Sequence, residues 1–168
     1  GDLLISKTVN VDGDGEKDTA AKWHFTLELR DKDDKPLSTS GAYIPYTKTA
    51  DKIEKGTIRV GSDGVVELVG SVDGFVLGDG ESILIENLPA GTKYKVVEKG
   101  ANTGAYITTV NAGEILVKDD VADVDGDKTD GEEVSEEGHK LIHGSAGVIV
   151  KKETAEAAFT NTEHMVTI

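Results

Sequence analysis

The chain has 168 residues, a formal charge of −14, no cysteine, and 43 residues that are Leu, Ile, Val or Phe. That apolar share exceeds the level of a disordered chain and suits one domain or two very small ones. The acidity excludes phosphate backbones and anionic membranes as partners, and the missing cysteines exclude the disulfides that small secreted β domains often use.

Val and Ile dominate the apolar set and Thr is frequent, which favours strands over helices. Seven Asp-Gly dipeptides, starting at 12, 14, 63, 73, 79, 125 and 130, act as turn signals for many short strands. There is no signal peptide and no apolar run of membrane-spanning length. The abrupt opening Gly1-Asp2-Leu3 reads as a mature fragment or an excised domain.

In chain order, 3–10 alternates Leu3, Ile5, Lys7 and Val9 against Leu4, Ser6, Thr8 and Asn10. The acidic stretch "DGDGEKD" at 12–18 resembles the start of a calcium loop. Lys17 stands where that loop needs glycine, and Trp23 where it needs its last glutamate. Residues 23–30 place Trp23, Phe25, Leu27 and Leu29 on one strand face. Short strands fill 42–87, broken at Gly56, Ser62-Asp63-Gly64, Asp73-Gly74 and Asp79-Gly80. Strands around 82–87 and 93–99 flank the turn "LPAGT", and 105–110 with 114–118 suits a hairpin. Helical turns fit only 18–22 and 49–55. Residues 119–138 are acidic and Gly-rich, reading as a loop inserted between strands. Within it Asp123, Asp125, Asp127 and Asp130 again lack the calcium-loop glycine, so both acidic stretches read as solvated and no cofactor is expected. His139 and His143 lie in strand and turn sequence, and Ser145 in "HGSAG" lacks nucleophile-elbow spacing. Two strands, over 140–152 and 156–168, close the chain. The pattern predicts an all-β, immunoglobulin-like β-sandwich.

Three of these strands send one polar group toward the core. Lys7 shares a face with Leu3, Ile5 and Val9; Glu98 follows Tyr94 and Val96; Asn161 follows Ala157 and Phe159. Burial lowers a lysine pKa and raises that of a carboxyl, while their mutual attraction favours the ion pair. An unprotonated amine is a nucleophile. A carboxamide becomes a usable electrophile when its carbonyl is polarised and its nitrogen receives a proton, and Glu98 suits both tasks. The product would be an amide between Lys7 and Asn161, with loss of ammonia. Parity also allows a plainer arrangement: Lys7 reaching an edge, Glu98 ending its strand in solvent, Asn161 bonded to backbone. Parity does not make the three strands neighbours.

The motifs "LISKTV", "FTLELRDKDDKPL", "LGDGESILIENLPAGTKYKVVEKG", "AYITTV" and "AAFTNTEH" occur in this order. Their series resembles the Cna B-type domains of Gram-positive surface proteins, in particular the pilin-type subgroup of streptococcal major pilins. The resemblance covers about half the residues and implies one domain over 1–168, with segments of about 36–75 and 119–138 that the plainest members lack. It implies an intramolecular isopeptide bond from Lys7 to Asn161, promoted by Glu98 as proton shuttle. No catalysis on external substrate is expected, only one self-crosslinking event. The implied setting is an extracellular, cell-wall-anchored fibre, with neighbouring domains or subunits as partners. A rival reading is an adhesin domain that grips a host protein or glycan through its two extra segments. A tie closing a loop of about 150 residues is worth about 4–5 kcal/mol by chain entropy, and would replace the missing disulfides.

Overall fold

A computed structural model describes residues 1–12, 15–39, 44–68, 74–99, 106–111, 116–122, 133–134 and 139–164. Six strands form one sheet: β1 (Asp2–Asp12), β3 (Pro45–Thr49), β4 (Ile53–Thr57), β8 (Ser82–Ile85), β10 (Tyr106–Val110) and β14 (Thr154–His164). Their order across the sheet is β10-β14-β1-β8-β3-β4. The facing sheet holds β2 (Lys22–Arg30), β7 (Phe75–Gly78), β9 (Lys93–Lys99), β11 (Leu116–Ala122) and β13 (His139–Val148), in the order β11-β13-β9-β2-β7. The short β12 (Glu133–Val134) pairs with β13, and β5 (Arg59–Val60) with β6 (Val66–Glu67) makes a separate ribbon. No helix occurs among the described residues. The architecture is the expected immunoglobulin-like sandwich.

Strand alternation builds the core directly. Leu3, Ile5 and Val9 of β1, Ala157 and Phe159 of β14, and Phe25, Leu27 and Leu29 of β2 are all buried. The inward rings of Phe25 and Phe159 meet edge to face at 5.0 Å, which joins the two sheets. Strand β9 departs from clean alternation, since Val97 is buried as well as Val96 and Glu98.

First and last strands lie side by side. β1 and β14 run parallel over their whole length, with Lys7 opposite Phe159 and Val9 opposite Asn161. All other pairings in both sheets are antiparallel.

Four local expectations are corrected. Residues 18–22 form a bend, because the Asp18 carboxylate accepts the amides of Ala20 and Ala21 and Lys22 already starts β2. Residues 49–55 contain the β3–β4 hairpin turn, where Thr49 pairs with Ile53. Gly56 does not break a strand. It lies within β4 opposite Tyr46, and a Cβ there would stand 2.9 Å from Cε1 of that buried ring. The hairpin expected from 105–110 and 114–118 does not form, since β10 pairs with β14 and β11 with β13 in the other sheet. The sequence "AYITTV" buries Thr108 and Val110 when laid against β14, and that favours the long-range partner. Asp-Gly turns hold as expected at Gly64 and Gly80, with φ of +86° and +75°, where glycine avoids the Cβ penalty. Segment 36–75 supplies β3 to β6. Of 119–138, the end of β11 and β12 are described and the rest lies outside the described residues.

Candidate functional site

Inside the sandwich, Lys7, Glu98, Thr108 and Asn161 come together, each at most 2% exposed. β1 aims Lys7 inward because its neighbours on that face, Ile5 and Val9, are core residues. β14 aims Asn161 inward for the same reason, two positions beyond Phe159. β10 adds Thr108, directly opposite Asn161 in the antiparallel register. Glu98 enters from the facing sheet on β9, opposite Phe25 of β2.

The Lys7 ammonium forms an ion pair with Glu98 Oε1, and both side chains are wholly shielded from solvent. The other carboxyl oxygen, Oε2, faces the Thr108 hydroxyl at 3.3 Å. That hydroxyl lies 2.7 Å from Asn161 Oδ1, to which it donates. Asn161 Nδ2 is buried and makes no hydrogen bond. An amide N–H left this way costs about 1–3 kcal/mol. Lys7 Nζ also sits 4.5 Å from the centre of the Trp23 ring and 5.9 Å from that of Phe25. Trp23 is held edge-on by Tyr106 at 5.4 Å.

Burial dominates the electrostatics. It lowers the Lys7 pKa from 10.5 to about 8, against the pull of the neighbouring carboxylate. It raises Glu98 above 4.5, against Lys7, the Thr108 hydroxyl and the Asn161 amide. Asn161 exerts that pull through proximity, since its nitrogen lacks hydrogen-bond geometry. The two shifts converge, which lowers the cost of moving a proton from Nζ to Oε1. The arrangement can therefore present a free amine and a carboxylic acid to a carboxamide, with water excluded.

All three residues singled out from parity are thus brought into one cluster. Thr108 was missed, although it shares the face of Tyr106 and Val110 in "AYITTV" and was legible by the same rule. The acidic candidates fall elsewhere. Lys17 of the 12–18 stretch pairs with Asp79 at 2.9 Å. Asp14 and 123–130 lie outside the described residues. Among the described residues no group of three His, Cys, Asp or Glu side chains is placed to hold a metal. His139 and His143 fall on β13, and Ser145 is buried there opposite Val96.

Sandwich, parallel terminal strands and buried cluster describe an immunoglobulin-like β domain with a polar group in its core. The chain belongs to the family described as "Domain of unknown function (DUF7601)", whose model matches residues 1–163. No curated protein matches it. Among solved structures it is similar to the pilus-presented adhesin Spy0125 (Cpa), at 19% identity and a TM-score of 0.58, over 98% of this chain and 27% of that one. It is also similar to the major pilin of Streptococcus pyogenes, at 21% identity and a TM-score of 0.58, over 98% of this chain and 48% of that one. The T3.2 major pilin of Streptococcus pyogenes matches at 20% identity and a TM-score of 0.52, over 98% of this chain and 45% of that one. The chain thus spans about a quarter to a half of the structures it matches, and what it shares with them is the fold.

Proposed function

We propose that this domain is a structural module of a Gram-positive surface pilus or adhesin stalk, covalently tied by an isopeptide bond between Lys7 and Asn161. One observation carries the reading: a solvent-free Lys7–Glu98 pair lies beside a buried carboxamide whose nitrogen is unpartnered. The fibre setting is supported by the pilin and adhesin likenesses, and the partners would be neighbouring domains or subunits. The domain acts outside the cell, anchored to the wall through the fibre, and turns over no external substrate.

The chemistry follows from the geometry. Nζ passes a proton to Glu98 and becomes an amine. The amine attacks Cγ of Asn161, and the carbonyl electron pair moves onto Oδ1. As the pair returns, the Cγ–Nδ2 bond breaks. Nδ2 takes a proton released by the attacking nitrogen through Glu98, and leaves as ammonia. The fold supplies the effective concentration that makes an amide exchange practical. It also removes a buried side-chain nitrogen that makes no hydrogen bond.

Intact mass tests this directly. The folded chain should weigh one ammonia less than its composition requires, and trypsin should release the Lys7 peptide joined to the Asn161 peptide. Full mass in folded protein rejects the bond.

A second expectation concerns pH, in the bond-free Asn161→Ala variant. Lys7 has a depressed folded pKa, so its contribution to stability is complete above pH 10.5 and is lost as pH falls through about 8. Glu98 is raised, so its contribution is complete below pH 4.5 and is lost as pH rises through its elevated value. The pair therefore weighs most against folding near neutral pH. Relative to the same variant carrying Lys7→Met and Glu98→Gln, urea midpoints should be lowest near neutrality and recover on both sides. A pH-independent difference contradicts the shifts.

A further inference from the structure

We propose that Thr108 is a catalytic hydrogen-bond donor for this reaction, polarising Asn161 Oδ1 and holding the oxyanion that forms there. The inference rests on the crosslink reading and adds to it a fourth residue with a defined task.

The argument starts from the hydroxyl's single hydrogen. Two acceptors compete for it, Asn161 Oδ1 at 2.7 Å and Glu98 Oε2 at 3.3 Å. The shorter contact points the hydroxyl hydrogen at the amide oxygen. Asn161 Oδ1 thus receives its donor from Thr108. While Glu98 is ionised, Thr108 sits between two acceptors and one contact is weak. Once Glu98 has taken the Lys7 proton on Oε1, Oε2 is the carbonyl oxygen of a neutral acid and a weaker acceptor. The Thr108 hydrogen is then left to Asn161 Oδ1.

Proton transfer and carbonyl polarisation are thereby coupled. The step that frees the amine also ends the competition for the hydrogen that polarises the group it will attack. When the carbonyl pair moves onto Oδ1, the Thr108 O–H already points at the developing charge and need not reorganise. As the pair returns and ammonia leaves, the hydroxyl keeps its own proton. Thr108 needs no conformational search to do this. It is buried, its strand pairs directly with β14, and it stands opposite Asn161.

The test follows bond formation in the full chain, synthesised in a cell-free translation system, quenched in denaturant at intervals and weighed for the loss of ammonia. Thr108→Val keeps shape and β-branching but lacks the hydroxyl. Its crosslinking should slow by about 100-fold or more, the scale of losing one oxyanion donor. Thr108→Ser should restore a rate close to wild type. Thr108→Ala, which lacks both hydroxyl and added apolar bulk, should be slow like Thr108→Val, and replaces it if that variant does not fold. Circular dichroism of each variant in the Asn161→Ala background reads any effect on folding alone. Folded Thr108→Val or Thr108→Ala chains that crosslink at the wild-type rate overturn the role of Thr108 and leave the bond itself standing. Absence of ammonia loss in the wild-type chain rejects the bond, which is a different result. A slow Thr108→Ser variant that is fully folded also overturns the role of Thr108, because the hydroxyl would then not be what matters.

Discussion

Asn161→Ala is expected to melt about 8–20 °C below the wild-type chain. The proposed tie from Lys7 to Asn161 would close a loop of about 150 residues, and chain entropy assigns such a closure about 4–5 kcal/mol. For a domain of this size each kcal/mol moves the melting point by about 2–4 °C. Local losses are small by comparison. The substitution forfeits the Thr108 hydrogen bond to Oδ1, worth about 0.5–1.5 kcal/mol. The Lys7–Glu98 pair survives in this variant, so no buried charge is orphaned. Scanning calorimetry decides the matter. A drop of only about 2–4 °C would match a lost side-chain contact and no lost crosslink.

Glu98→Gln should slow bond formation by about 10²–10⁴-fold, the usual worth of a positioned acid–base group. This variant separates two roles that the wild type combines. Glutamine keeps the size and a hydrogen-bonding end, but it cannot carry a proton from Nζ to Nδ2. It also removes the carboxylate that opposes the burial-driven fall of the Lys7 pKa. Lys7 would then be a free amine more often than in the wild type. If a free amine were sufficient, Glu98→Gln would crosslink at least as fast. A time course of intact mass after synthesis distinguishes the outcomes, and a rate within about tenfold of wild type rejects the shuttle, being below the acid–base range.

Much of this cluster was legible because strands have a two-residue period. Once Leu3, Ile5 and Val9 define a buried face, Lys7 must share it, and the same reasoning captures Glu98 and Asn161. The period also buries Thr108, but a threonine on an apolar face carries no charge to mark it. Partner choice was less legible. Nothing local in "AYITTV" says that it pairs with residues some fifty positions later, and proximity in sequence pointed instead to 114–118. Gly56 misled for a related reason. A glycine commonly marks a turn, whereas here it makes room for the Tyr46 ring across the strand pair, a fact stored in the partner strand. Helical turns at 18–22 and 49–55 failed on side-chain capping and hairpin closure, which outcompete weak propensity in short segments.

The parallel register of β1 and β14 sets how the sheet meets tension. Asp2 lies beside Thr154 and Asp12 beside His164, so the start of β1 and the end of β14 fall at opposite ends of one strand pair. Traction applied at those two points slides the strands past each other lengthwise. Every rung of the ladder is then strained at once, whereas an antiparallel pair gripped at one end would open rung by rung like a zip. With the amide in place, the taut path runs from Asp2 to Lys7, across the new bond, and out along Asn161 to His164. Everything between those short segments would hang slack, shielded from the pull.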